Sequence, residues 1–500
     1  MAARAALPKV CIALGLPTTE KLIDQAEKEL AAGEHFLEFR LDYLNRPEQG
    51  VKAIQQFLAK HPEATILATC RRHQNHGKYD GLIEDQLKIL DAAIDAGAKA
   101  IDVEIETAEK VIDKVEHLRA KTQLIVSWHN YEGTPPLEPV LRRMLKVPAD
   151  AYKVVTTAKK PSDSGKVLAL QKAHPRVPLI LLAMGETGFP TRVLCNALGG
   201  IYTYASPNAV EGTAPGQVSS RVLRNLYRID KLSKGAKIYG VIADPVRHSL
   251  SPNVHNRAFQ ARRLDAVYLP FLVKSTQLKD FIQLCDSLPV QGFSVTIPHK
   301  QRILKYLDHV DLLARRIGAV NTVWKKAGKW RGTNTDAPAV TKPLGKKIKL
   351  NKSKVLIAGN GGAARGAAFA LADAGAQIAI VGRNPDRVRA LAKICGAEPL
   401  LREQMNGRRF DALVHATPMG MWPHVNECFF PDQVPADLVF DMVYNPLETE
   451  LVRRAKAQGA TIIPGLEMFL TQAAQQFEIW TEDKAPISVM EKAALEALGK

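Results

Sequence analysis

The sequence predicts an α/β protein in two parts: a (β/α)8 barrel, then a second α/β unit carrying an open parallel sheet. Three observations point there. Eight short β-rich runs alternate with amphipathic helix-length stretches over about the first 225 residues, the count and size of such a barrel. The alternation is interrupted by a basic segment and by Ser233-Lys234-Gly235, and then restarts. In the second part a buried-looking strand, Val355-Leu356-Ile357-Ala358, runs straight into Gly359-Asn360-Gly361-Gly362.

Length and composition bound the reading. The 500 residues leave room for two to four domains, and 46% hydrophobic with 24% charged residues is the mixture of a globular chain rather than a disordered one. The longest apolar stretch, around Val177–Met184, contains a proline and is far too short to span a bilayer, so no membrane role is expected. The net charge of +17 speaks about partners and not about fold. Residues 1–232 carry 31 basic and 27 acidic residues, so most of the excess lies beyond them. The densest basic run, Lys342–Lys354, has few aromatics for stacking bases, which argues against nucleic acid and for small anionic substrates. Six cysteines without a Cys-x-x-Cys unit suggest neither a zinc ribbon nor a disulfide framework. Met1–Val10 carries Arg4 and Lys9 but no apolar signal core, so a cytoplasmic home is expected.

The barrel elements follow in order. Strand-like runs fall at Lys9–Leu14, His35–Leu41, Thr65–Thr69, Ala100–Ile105, Gln123–Trp128, Tyr152–Thr156, Pro178–Ala183 and Ile201–Tyr204. Between them, Glu20–Ala31 and Leu82–Ala96 show apolar residues at helical spacing, with Gly33 and Gly97 at their ends. Val218–Lys231 reads as a closing basic helix. Several strand ends carry residues that a core would not choose: Glu38 and Arg40 with Asp42, Arg71, His129, Lys153 and Arg192. In such barrels chemistry is done at the C-terminal strand ends, so together these residues suggest an anion-binding cavity. Each alone has a plainer reading as a surface lysine or a structural histidine.

In the second part, strands are expected at Lys237–Ala243, Val267–Phe271, Gly292–Ile297 and Ala319–Trp324, followed by a lysine-rich link. The turn after Ala358 precedes the helix-like Ala367–Ala374, the order in which a dinucleotide pyrophosphate is seated on a helix N-terminus. Gly359, Gly361, Gly362, Ala363 and Ala364 are its candidate residues. The next strand, Gln377–Val381, ends in Gly382-Arg383-Asn384, where an NAD site usually carries an acid. Arg383 suits a 2′-phosphate, so a Rossmann domain binding NADP is expected.

Seven further motifs stand in a fixed order. They are Gly240–Pro252 with Ser249 and Ser251, Gly292–Lys300, Gly318–Thr322, Gly332–Asp336, and Ala416–Met421 with the later Asp441–Pro446 and Gly465–Ala473. With these, residues 237–500 resemble shikimate dehydrogenase along their whole length. The resemblance implies that Lys300 and Asp336 are the catalytic pair. It implies that Ser249, Ser251, Thr296, Asn321, Tyr444 and Gln472 bind the substrate. It also implies that Asn384, Thr417, Met419 and Gly465 join Arg383 and the glycine turn in binding NADPH. A lysine placed by a carboxylate can protonate the alkoxide that forms when a ketone is reduced. His415 departs from the asparagine usual there.

In the first part, Ser127-Trp128-His129-Asn130-Tyr131, Tyr152-Lys153-Val154-Val155, Met184-Gly185 through Thr191-Arg192, and Ala214-Pro215-Gly216-Gln217 are similar to type I 3-dehydroquinate dehydratase. The similarity spans residues 8 to about 228 and implies that Lys153 forms an imine with the substrate ketone while His129 moves protons. Glu38, Arg40, Arg71, Arg192, Thr213 and Gln217 match substrate-binding positions. Thr213 replaces a usual serine, and Asn75 replaces the glutamate that partners the catalytic histidine, so altered acid-base behaviour of His129 is expected. His73 and His76 lack a third metal ligand, and no metal is expected.

The expected organisation is a dehydratase barrel over 1–232, a dehydrogenase substrate domain over 233–340, a Rossmann NADP domain over 341–463, and C-terminal helices over 464–500 returning to the substrate domain. The implied function is dehydration of 3-dehydroquinate to 3-dehydroshikimate through a lysine Schiff base, followed by reduction to shikimate with NADPH. The sequence leaves two alternatives. One is a regulator that senses quinate-type ligands without turnover, which would have no need of an imine-forming lysine. The other is an NAD-dependent quinate or shikimate oxidase, which Arg383 argues against.

Overall fold

The computed structural model of the chain describes residues 6–207, 212–405 and 407–499; Arg4 and the outer ends of the first and last expected domains lie outside them. By internal contacts the chain divides into Met1–Lys237 with Asp265–Pro289, and Ile238–Leu264 with Val290–Lys500.

The first unit is built on eight strands: β1 (Val10–Leu14), β2 (Phe36–Arg40), β3 (Thr65–Thr69), β4 (Ala100–Glu104), β5 (Gln123–His129), β6 (Ala151–Thr157), β7 (Leu179–Met184) and β8 (Thr203–Ala205). They form one parallel sheet in the order β7-β6-β5-β4-β3-β2-β1-β8, a nearly closed barrel in which β1 pairs with both β2 and β8. Side chains alternate across each strand, so every second residue faces the interior. At the N-terminal ends these are apolar: Phe36, Ala100, Ile125 and Ala151 pack in one interior cluster with Cys11, Leu67 and Ile180. Two residues further along the same strands they turn polar: Glu38, Asp102, Ser127 and Lys153, all buried. The period of two thus converts a hydrophobic floor into a polar upper layer without interrupting any strand.

The surrounding helices follow their sequence signals. Thr18 caps the helix Thr19–Ala31 by accepting from Lys21 N at 3.4 Å, and Gly33 beyond it takes φ 90, a region closed to most side chains. The expected helix Val218–Lys231 does not form: only a wide turn, Val222–Leu226, is present. Arg228 adopts φ 55, which ends helical geometry, and the Arg224 guanidinium is held between Glu34 (2.9 and 3.0 Å) and Asp230.

Two more sheets follow. The mixed sheet joins β9 (Lys237–Ala243), β10 (Ala266–Leu272), β11 (Val290–Val295), β12 (His309–Val310), β13 (Thr322–Lys326) and β14 (Lys329–Thr333) in the order β10-β9-β11-β13-β14-β12. The helix Gly465–Thr481 docks on it through Trp480 Nε1 donating to Val323 O (3.0 Å) and Tyr239 Oη donating to Trp480 O (3.1 Å). The third sheet joins β15 (Lys354–Ala358), β16 (Gln377–Val381), β17 (Glu398–Leu400), β18 (Ala412–His415), β19 (Leu438–Asp441) and β20 (Thr461–Ile463) in the order β17-β16-β15-β18-β19-β20. All its ladders are parallel. In β15, Val355 and Ile357 enter the core on one face, and Leu356 and Ala358 the core on the other. A strand buried on both faces reads as an unbroken apolar run, which is why Lys354–Ala358 stood out in the sequence. The strand order reverses between β15 and β18, the crevice where doubly wound sheets bind nucleotides.

Candidate active sites

The polar upper layer of the barrel encloses a cavity of about 100 Å3. Lys153 on β6 lines it: Nζ donates to Asp102 Oδ2 at 2.6 Å and to Tyr204 Oη at 3.0 Å, and lies 3.9 Å from Glu38 Oε1. Asp102 also accepts from Ser127 Oγ at 2.5 Å and from Arg71 at 3.5 Å. Burial pushes the Asp102 carboxyl up, but the Lys153 and Arg71 charges and the bonds from Lys153 and Ser127 outweigh it and hold the group below its usual value. Lys153 therefore rests in an acid-bounded niche, with β4 supplying a carboxylate across β5. Glu38 accepts from Thr69 Oγ1 at 2.7 Å and Tyr204 Oη at 3.4 Å.

The arginines differ in what they have left to offer. Arg40 is engaged by both carboxylate oxygens of Asp42, at 2.9 and 2.8 Å. Arg71 has Asp102 and, at 3.9 Å, Glu104. Arg192, 2% exposed, has no acidic partner among the described residues: one Nη donates to Pro215 O at 3.1 Å, and Nε is unpaired. Burial lowers this guanidinium to about 10, so it stays charged at neutral pH. A buried cation without a counterion is a seat for an anionic ligand. Thr213 and Gln217 line the same cavity, with Gln217 Oε1 accepting from Ala214 N at 3.3 Å.

His129 also lines this cavity. Burial first, then the positive charges of Arg71, Lys153, Arg40 and His76, push its imidazole well below the usual histidine value, so it is a neutral base. Asn75 does not orient it. The Asn75 amide donates to Glu106 Oε2 at 2.9 Å, because the turn His73–Asn75 carries it toward the segment after β4. His73 pairs with Asp80 at 2.8 Å, and no group of three or more His, Cys, Asp or Glu able to hold a metal occurs among the described residues. Asp102, Tyr204 and Ser127 escaped notice as site residues; the alternation Ala100-Ile101-Asp102-Val103-Glu104, which places acids in a barrel interior, was the available signal for the first.

The second cavity, about 190 Å3, lies in the other unit. Lys300 Nζ donates to Asp336 Oδ2 at 2.6 Å, and Asn321 Nδ2 donates to Asp336 Oδ1 at 2.8 Å. Asn334 fixes this geometry: its Oδ1 accepts from Asp336 N and Ala337 N, both at 3.1 Å, at the head of the helix Asp336–Gly345. Ser249, Ser251, Thr296, Tyr444 and Gln472 all line the cavity. Ser249 Oγ accepts from Ser251 N at 3.3 Å, Gln472 donates to Phe469 O at 2.9 Å, and burial raises the Tyr444 phenol to about 12. Ser294 and Gln476, bonded to each other at 2.8 Å, line it as well and were not anticipated.

The glycine turn is next to this cavity. Gly359 has φ 124, and a Cβ there would come 2.8 Å from Ala416 O, so only glycine fits between β15 and β18. The helix Gly362–Asp373 starts at Gly362, against the Lys300 side chain, and Ala363 and Gly465 line the cavity while Ala364 is buried. Past β16, Arg383 is exposed and without an acidic partner among the described residues, and Asn384 Oδ1 caps the next helix by accepting from Arg387 N at 3.0 Å. A turn closed to side chains, a helix N-terminus and a free guanidinium fit a dinucleotide with a 2′-phosphate. On the far side, His415 Nε2 meets Thr417 Oγ1 at 2.5 Å and Nδ1 meets Asp441 Oδ1 at 2.8 Å, while Met419 N donates to Thr417 Oγ1 at 3.3 Å.

A barrel with a buried lysine, followed by a nucleotide-fitted dehydrogenase unit, defines a two-activity enzyme joining a lyase to an oxidoreductase. The family described as type I 3-dehydroquinase matches residues 10–234. The shikimate dehydrogenase substrate binding domain matches 241–323, shikimate / quinate 5-dehydrogenase 343–418, and the shikimate 5′-dehydrogenase C-terminal domain 465–495. A bifunctional 3-dehydroquinate dehydratase/shikimate dehydrogenase of Arabidopsis thaliana, named as chloroplastic, is 34% identical over 95% of this chain and 82% of its own length. A shikimate dehydrogenase (NADP+) of Methanobrevibacter smithii is 40% identical over 53% of this chain and 99% of its own. A solved shikimate dehydrogenase in complex with NADP+ superposes with TM-score 0.50 and 36% identity, covering 54% of this chain and 98% of that one. The chain belongs to the family of bifunctional 3-dehydroquinate dehydratase/shikimate dehydrogenases.

Proposed function

We propose that the barrel cavity dehydrates 3-dehydroquinate through an imine on Lys153, and that the second cavity reduces the product, 3-dehydroshikimate, to shikimate. The observation that carries the first step is Lys153, buried and 2.6 Å from Asp102, sharing its cavity with the unpaired cation Arg192. Arg192 takes the substrate carboxylate, with Arg71, Arg40, Glu38, Thr213 and Gln217 positioning the ring. The lysine nitrogen bonds to the ketone carbon and the oxygen leaves as water. The iminium acidifies the neighbouring C–H, neutral His129 removes that proton, and the electron pair expels the hydroxyl on the next carbon. Water then releases the product and returns the lysine.

In the second site, Ser249 and Ser251 hold the carboxylate, and Thr296, Asn321, Tyr444 and Gln472 the ring. Lys300, fixed by Asp336, gives its proton to the oxygen as the ketone is reduced. Gly359, Gly361, Gly362, Ala363 and Ala364 would hold the pyrophosphate of NADP, Arg383 and Asn384 its 2′-phosphate, and Thr417, Met419 and Gly465 its nicotinamide end. NADPH, when bound, supplies the hydride. The division at 232, 340 and 463 belongs to the same proposal, as does a cytoplasmic location, which the six free cysteines support. No helix among the described residues is long and apolar enough to cross a membrane.

Borohydride reduction during turnover of 3-dehydroquinate tests the imine. The expected result is a stable adduct on the peptide containing Lys153, absent in Lys153→Ala; an unlabelled wild-type protein that still dehydrates its substrate would overturn it.

A further inference from the structure

Imine formation in the barrel needs proton transfers that Lys153 cannot complete alone. Its ammonium carries three protons and the iminium keeps one, so the other two leave with the ketone oxygen as water. Both have to travel from the lysine nitrogen to the substrate oxygen. Direct transfer between two atoms on one carbon closes a strained four-membered ring, whereas a hydroxyl that accepts from nitrogen while donating to oxygen widens the ring to six.

Tyr204 has the placement for this. It is buried, it lines the cavity, and its Oη accepts from Lys153 Nζ at 3.0 Å. The other acceptor bonded to this nitrogen among the described residues is Asp102 Oδ2 at 2.6 Å. Asp102 is ion-paired with both Lys153 and Arg71 and has no proton to spare, so Tyr204 is the partner that can accept and donate at once. The phenolic proton is held by long contacts only, with Glu38 Oε1 at 3.4 Å and Tyr202 Oη at 3.2 Å. Burial, then the Glu38 charge, raises the phenol well above its usual value, which keeps that proton in place between turnovers. The same two acceptors also aim the nucleophile. A neutral amine has two N–H donors and one lone pair; Asp102 and Tyr204 take the donors, and the lone pair is left for the ketone carbon.

We propose that Tyr204 is a catalytic residue of imine formation and hydrolysis, ferrying protons between the Lys153 nitrogen and the substrate oxygen; this rests on the reading of the barrel given above. Asp102 takes one proton from the ammonium, and the amine adds to the ketone carbon as the C=O pair moves onto oxygen. Tyr204 accepts a proton from nitrogen and gives its own to that oxygen. Asp102 returns its proton to nitrogen, Tyr204 repeats the exchange, and the C–O bond breaks to release water. One proton stays on the iminium nitrogen, and Asp102 and Tyr204 end as they began. Release of the product runs the same steps in reverse.

The test is Tyr204→Phe, which keeps the ring 4.6 Å from Lys153 Nζ and 5.3 Å from the Tyr202 ring and removes only the hydroxyl. Tyr202→Phe removes the next hydroxyl along, which has no bond to the nitrogen, and is the companion variant. Each protein is mixed rapidly with 3-dehydroquinate and quenched into borohydride at increasing times. In Tyr204→Phe the rate of adduct formation on Lys153 and the kcat of dehydration should both fall by about 100-fold, with the final extent of labelling equal to that of wild type. Tyr202→Phe should label at the wild-type rate. An unchanged labelling rate in Tyr204→Phe, or an equal loss in Tyr202→Phe, overturns the ferry. A wild-type protein that dehydrates its substrate without any adduct would instead overturn the reading beneath it.

Discussion

Among single residues, Arg192 makes the sharpest prediction. Its guanidinium is buried, and no carboxylate answers it. Arg192→Met should therefore raise Tm, because an uncompensated charge is replaced by an apolar chain of similar length. The same change should raise the KM for 3-dehydroquinate by about 10- to 100-fold, the loss of a charged hydrogen-bonding contact of about 1.5–3 kcal/mol. A calorimetric scan and a Michaelis curve check both, and a fall in Tm would mean that Arg192 has a structural partner. Asp102→Asn, which removes the nearer of the two carboxylates beside Lys153, should lower dehydration by about 100-fold or more while reduction of 3-dehydroshikimate persists. Lys153, His129, Lys300 and Asp336 were legible as site candidates because motifs surround them. Asp102 was not, since an acid in a strand acquires meaning only when the barrel closes and β4 meets β6 across β5. Asn75 shows a related limit: its position in the chain is next to the site, but its side chain turns to Glu106. Asn75→Glu consequently sets two carboxylates against each other and should lower Tm with little change in the pH profile of dehydration, readable by thermal melts and by kcat at several pH values.

Among elements, strands buried on both faces were read with their boundaries intact, as at Thr65–Thr69, Lys354–Ala358 and Gln377–Val381. Apolar runs of that length bounded by turn residues leave little choice. The Val218–Lys231 helix failed because tertiary ion pairs at Arg224 and the left-handed Arg228 decide that segment, and neither is a local property. The link between β18 and β19 shows the same limit. His415, 1% exposed, joins Asp441 to Thr417, and Asp441 also accepts from Thr449 Oγ1 at 2.5 Å. His415→Ala should weaken NADPH binding through the Thr417 loop while dehydration is retained; equal KM values for NADPH in wild type and variant would exclude that coupling. His255, in the helix Ser251–Ala261, sets an acid limit: burial lowers it to about 3 against a bond from Gln476. An unfolded histidine titrates near about 6.5, so below that value the unfolded chain binds a proton that the folded one refuses. Stability should hold above about pH 6.5 and decline as pH falls toward about 3, with His129 acting in the same direction. Urea midpoints across that range check the slope.

For the whole molecule, the net charge of +17 finds only part of its use in the two cavities, where arginines and lysines face anionic groups. The proposed dehydration and reduction rest on separate lysines, Lys153 and Lys300, of one chain. Following NADPH absorbance with 3-dehydroquinate as the sole substrate tests it most directly. Wild type should consume NADPH, whereas Lys153→Ala should do so only when 3-dehydroshikimate is supplied; no consumption by wild type, in an assay where added 3-dehydroshikimate is reduced, would contradict the account.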